Sequence, residues 1–133
     1  MPNILIVDDS WLTRRGVKRI LLSNDEYQVL EAENGFQAMD ILLSKDKPPV
    51  DAIILDLLMP EMSGVEFLEK LNSNSVKTPV IVLTADIQHT VKAKCIALGA
   101  AAFVNKPPEP DQLLTLVNNL FNNSSEKTGS YLS

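Results

Sequence analysis

The chain has 133 residues, enough for one domain with a core of its own and too few for two of ordinary size. Seventeen acidic against twelve basic residues leave a net charge of −5, which argues against direct contact with nucleic acid or an anionic membrane surface. A lone cysteine, Cys95, excludes an internal disulfide and any zinc site that needs two thiolates, and the apolar runs stop well short of the ~18 residues of a membrane span.

The N-terminus runs from Met1 straight into a short apolar stretch, residues 4–7, that stops at Asp8. It has neither the basic flank nor the long apolar core of a secretion signal, so the expected compartment is the cytoplasm. Unalternating runs of this length read as strands covered on both faces. Residues 11–22 follow with Leu12, Val17, Ile20 and Leu21 at helical spacing and Ser10 placed to cap them. Residues 27–32 alternate weakly, as an edge strand does, and residues 36–43 resume the helical period with Phe36, Met39, Ile41, Leu42 and Leu43. The alternation of periods then repeats three times. Strands are expected at 52–55, 80–83 and 101–104. Helices are expected at 65–71, at 89–98 before Gly99, and at 110–121 opening on Pro110. Helix following strand five times predicts a doubly wound α/β fold with a five-stranded parallel sheet and five helices. Residues 1–122 are expected to form this domain, with 123–133 a flexible polar tail or the start of a linker.

Ligands of such sheets bind beyond the carboxyl ends of the strands. The predicted strands deliver Asp8 and Asp9, Asp56, Thr84 and Lys106 to that edge. Carboxylates gathered in one pocket stay ionised only if a cation joins them. Oxygen donors without histidine or cysteine suit Mg2+. With a lysine and a hydroxyl beside them, these groups are equipped for phosphoryl transfer, in which a carboxylate can serve as the nucleophile.

Asp8-Asp9, the run Asp56-Leu57-Leu58-Met59-Pro60-Glu61-Met62-Ser63-Gly64, Thr84-Ala85 and Lys106-Pro107 together resemble the receiver domain of two-component response regulators of the chemotaxis-regulator type. The resemblance spans roughly residues 3–121 and implies a flavodoxin-like strand order of 2-1-3-4-5. It implies that Asp56 is the phosphoacceptor, and that Asp9, Asp56 and the Leu58 carbonyl bind Mg2+ directly while Asp8 acts through water. By the same resemblance Lys106, Thr84 and the backbone N–H groups of Leu58 and Ala85 contact the phosphoryl oxygens, Lys106-Pro107 is a cis peptide, and Thr84 with Phe103 forms the switch. The implied partners are a sensor histidine kinase or a histidine phosphotransfer protein and a downstream protein, with pairing of phosphorylated copies as a further output. A turnover enzyme is not implied, because the domain assists its own phosphorylation and dephosphorylation.

The chain departs from the family pattern in places. Phe103 stands where many members carry tyrosine, Leu58 and Asp86 occupy positions that tune the phosphoryl lifetime, and Pro108 replaces a large apolar residue before the last helix. His89 reads as a solvated helix residue and Cys95 as a small buried hydrophobe. Two rival readings fail on named residues. A haloacid-dehalogenase-like phosphatase needs a carboxylate two residues after its nucleophile, where Leu58 stands, and a flavodoxin would set its phosphate loop where Asp8 and Asp9 repel phosphate. Within the family, a stand-alone receiver and a receiver cut from a longer regulator both fit the residues.

Overall fold

The computed structural model of the chain describes residues 1–85 and 88–126. Its elements alternate from end to end: β1 Asn3–Val7, α1 Trp11–Leu21, β2 Gln28–Ala32, α2 Gly35–Leu43, β3 Ala52–Asp56, α3 Gly64–Ser73, β4 Val80–Thr84, α4 His89–Ala97, β5 Ala102–Asn105 and α5 Pro110–Glu126. The strands pair in parallel in the order β2-β1-β3-β4-β5. Fold class, strand order and all ten expected elements are borne out.

Strand alternation divides the core into two layers. Leu5, Val7, Ile53, Leu55, Val80 and Val82 face α2, α3 and α4, meeting Met39, Phe67, Leu68 and Cys95. Ile4, Ile6, Ala52, Ile54, Ile81 and Leu83 face α1 and α5, meeting Val17, Leu21, Leu113 and Val117. β1, β3 and β4 are buried along their whole length. β5 is not, although its continuous apolar run resembles theirs: it lies at the sheet edge and only Val104 is fully buried.

The helix ends follow from local chemistry. Ser10, Asn34 and Ser63 each accept a hydrogen bond from the backbone of the first turn that follows, and Ser63 with Glu66 completes a capping box. α4 closes on Gly99 at φ 100°, whose N–H donates to the Ile96 carbonyl while the Ala100 N–H donates to that of Cys95. Pro108 leaves the start of α5 intact because Glu109 caps it, its carboxylate accepting from the N–H groups of Asp111 and Gln112. Three expectations need correction. α5 runs on to Glu126, so helix occupies residues expected in the tail, and the rest of that tail, 127–133, lies outside the described residues. Leu12 and Phe36, expected on buried helix faces, are exposed. The buried face of α1 is instead Arg14, Val17 and Leu21.

One glycine fixes how closely α3 approaches the sheet. A Cβ at Gly64 would lie 2.6 Å from the Leu57 Cα and 2.7 Å from the Asp56 carbonyl oxygen, both backbone atoms that cannot step aside. Gly16, inside α1, has open space around it. Chemical denaturation should show Gly64→Ala losing about 1–3 kcal/mol to overpacking. Gly16→Ala should gain about 0.5–1 kcal/mol from helix propensity.

Candidate functional site

Parallel register sets the strand ends level. Val7 lies beside Leu55, Asp56 beside Leu83, and Thr84 beside Asn105. Asp8, Asp9, Asp56, Thr84 and Lys106 therefore gather at one edge, with Asp8 and Asp56 on either side of the point where the strand order reverses. Carboxylate oxygens of Asp8, Asp9 and Asp56 lie within 4.8 Å of one another. Asp8 and Asp56 are buried at 1% and 4% exposure, while Asp9 is open to solvent.

The Lys106 ammonium joins the two buried carboxylates, 2.9 Å from Asp8 Oδ2 and 3.2 Å from Asp56 Oδ1. Its backbone N–H donates to the Thr84 carbonyl at 2.9 Å, which ties the lysine to the end of β4, and the Lys106–Pro107 peptide is cis. Asp8 Oδ1 accepts from the Ser10 N–H at 2.8 Å. Asp8 Oδ2 is fully enclosed and, beyond its ion pair, has no donor aligned for a hydrogen bond. Asp56 Oδ1 also receives the Leu58 N–H at 3.4 Å. Burial, and next the charge of Asp8, push the Asp56 carboxyl above its ordinary range; Lys106 and the Leu58 N–H oppose them without winning. Burial pulls the Lys106 ammonium down, but the contact with Asp8 and the charges of Asp56 and Asp8 outweigh it and leave the lysine above its usual value.

Three acceptor-only carboxylates against one ammonium leave an excess of negative charge in a largely buried place. Hard oxygen donors at this spacing, one of them enclosed without an aligned donor, fit a small divalent cation such as Mg2+. A cation there would offset the burial and the repulsion from Asp8 that together hold the Asp56 carboxyl up.

The chain matches the family model "Response regulator receiver domain" over residues 4–118. The chain belongs to that family. It is 35% identical to the chemotaxis protein CheY of Bacillus subtilis, over 90% of this chain and 97% of that protein. Transcriptional regulatory protein YdfI of the same organism is 36% identical, but there the chain spans 52% of the relative's length. Among solved structures, chemotaxis protein CheY4 of Vibrio cholerae superposes with a TM-score of 0.80 at 32% identity, covering 90% of this chain and 98% of that one. Receiver domains bind Mg2+ at an acidic cluster, and Asp8, Asp9 and Asp56 make such a cluster here.

The other residues expected at a receiver site fall as follows. Thr84 is buried at the end of β4, and Ala85 beyond it is exposed. The Leu58 side chain projects into solvent at 71% exposure. Phe103 is half-buried on the α4 side of the sheet, with the Lys92 ammonium 5.3 Å from its ring centre. It pairs with Val82, two residues before Thr84, so threonine and phenylalanine share one face. His89 is exposed, Cys95 is buried with its thiol pushed up by that burial, and Asp86 lies outside the described residues. Sequence reasoning missed Arg14. Its signal is an arginine in register with Val17 and Leu21 on the buried face of α1, where an unpaired charge would not be tolerated.

Because its pKa is raised in the folded state, Asp56 holds a proton there at pH values where the unfolded chain has lost it. Its contribution thus favours folding in acid and is lost as pH rises through the raised pKa. In metal-free buffer Asp56→Asn should therefore be more stable than the parent above that pKa. Urea midpoints measured from pH 4 to 8 should converge at the acid end.

Proposed function

We propose that this receiver accepts a phosphoryl group on Asp56 from a histidine kinase or a histidine phosphotransfer protein, and that it signals by changing the surface of α4, β5 and α5. The observation that carries the reading is the Lys106 ammonium lodged between Asp8 and Asp56 inside the carboxylate cluster at the strand-order switch. An Asp56 carboxylate oxygen would attack phosphorus, the P–N bond of the phosphohistidine would break, and its electron pair would leave with the imidazole nitrogen. Asp9, Asp56 and the Leu58 carbonyl would hold the Mg2+. Asp8, enclosed and already engaged by Ser10 and Lys106, would act through water and charge. Bound there, Mg2+ supplies the positive charge that offsets the phosphoryl oxygens.

Lys106 would then turn from the Asp56 carboxylate to a phosphoryl oxygen, with the Thr84 hydroxyl and the Leu58 and Ala85 N–H groups as further donors. Moving Thr84 would vacate space on the face it shares with Phe103, whose half-buried ring can rotate inward. A phosphatase reading lacks support at Leu58, whose exposed alkyl chain has no proton to donate. The proposed site of action is the cytoplasm; among the described residues no helix is long and apolar enough to cross a membrane.

Incubation with phosphoramidate and Mg2+ should label the parent once per chain, and Asp56→Asn should take up no label; equal labelling would overturn the assignment. Beryllofluoride with Mg2+, a stand-in for the phosphoryl group, should alter amide exchange across β4, α4 and β5. Changes confined to the loops around the carboxylates would leave Phe103 as ordinary packing.

A further inference from the structure

Arg14 is buried at 6% exposure, and its guanidinium spans three elements. Nη1 donates to the main-chain carbonyl of Asp8 at 2.7 Å, a fully buried bond. Nε donates to Glu31 Oε1 on β2 at 3.0 Å, and Nη2 lies 3.9 Å from Glu33 just beyond that strand. Lys18, one turn along α1, reaches the other Glu31 oxygen at 3.5 Å. The Asp8 carbonyl belongs to the planar peptide that links Asp8 to Asp9, so its direction fixes ψ of one residue and φ of the next. The Asp8 N–H is fixed as well, donating to the Ala32 carbonyl at 3.1 Å.

From these contacts we infer that Arg14 is a positioning residue for the cation site: it locks the peptide from which the Asp8 and Asp9 carboxylates project and ties it to the end of β2. This rests on the reading of the cluster as a Mg2+ site. The guanidinium is suited to the task because its fixed fork holds the carbonyl and Glu31 at once, which an ammonium cannot do with the same geometry.

Charge and positioning predict opposite signs, so the two are separable. Removing the Arg14 cation, which leaves Glu31 with Lys18 alone and Glu33 without this partner, makes the region more negative and on Coulombic grounds should tighten a divalent cation. Loss of positioning should loosen it. Mg2+ affinity is measured by titration calorimetry on the full chain at a temperature where each variant is folded, with Asp9→Ala as the control for the site itself. Arg14→Met should bind Mg2+ about tenfold or more weakly, the range seen when groups supporting metal ligands are removed. Unchanged or tighter binding would overturn the inference, even if the variant is less stable. Arg14→Lys keeps the charge and loses the fork. It should also weaken binding, and it decides the matter if the methionine variant does not fold: parental affinity in Arg14→Lys would overturn the inference. Should the parent bind no Mg2+, or Asp9→Ala bind as well as the parent, it is the metal-site reading that fails.

Discussion

Two buried carboxylates at the ends of neighbouring strands, Asp8 and Asp56, are held together by one ammonium, and much of this molecule is organised around that fact. Like charges at this distance disfavour each other's ionisation, and burial adds to the penalty. Lys106 opposes both, yet Asp56 remains above its ordinary pKa. The site is thus built with less positive charge than its carboxylates need. That deficit costs stability in the isolated chain, and it is also what gives a divalent cation something to bind. Filling the deficit with a second permanent cation would stabilise the fold and remove the reason for a ligand to enter.

Such an arrangement persists only on a frame that cannot relax away from it. β1 and β3 are central strands, hydrogen-bonded on both sides and covered by helices on both faces. The β1–β3 ladder, paired up to Val7 and Leu55, keeps the main chains that carry Asp8 and Asp56 together. Around this frame the loops are pinned at particular atoms. The Gly64 N–H donates to the Leu57 carbonyl at 2.9 Å, and the missing Cβ lets α3 start directly against the loop that carries Asp56. Leu58 itself projects outward, so the peptide next to Asp56 is fixed while the side chain beside it meets solvent.

The order of elements was legible in the sequence because four of the five strands are short apolar runs followed by a charged or hydroxyl residue, and most helices start at a side chain that caps them. The gathering of Asp8, Asp56 and Lys106 was legible for the same reason, since parallel strands of similar length must end at one edge. What the sequence concealed came from tertiary context. Phe36 and Leu12 look like core residues, yet they lie on helix faces that the sheet does not reach. The run that forms β5 resembles those of β3 and β4, but edge position depends on topology and not on composition. α5 continues through polar residues because an established helix propagates more easily than it starts. Arg14 reads as an ordinary helix surface residue until Glu31, distant in sequence, is brought beside it by the crossover between β1 and β2.

The two faces of the sheet support the strand ends in different ways, and the difference bears on how a signal could leave the site. On the α1 side, Arg14, Lys18, Glu31 and Glu33 form a cross-linked set around the Asp8 carbonyl. Charge-assisted bonds of a planar guanidinium are directional, so this side has one favoured arrangement. On the α4 side, Phe103 is half-buried and its ring is met by a lysine on α4 through a contact that constrains orientation weakly. Thr84 opens onto this second side. A change of charge at Asp56 therefore meets directional charge-assisted bonds on the α1 side and a loosely oriented ring on the α4 side. Under the proposed function, a signal from Asp56 would leave through the α4 side, while on the α1 side Arg14 holds the Asp8 carbonyl.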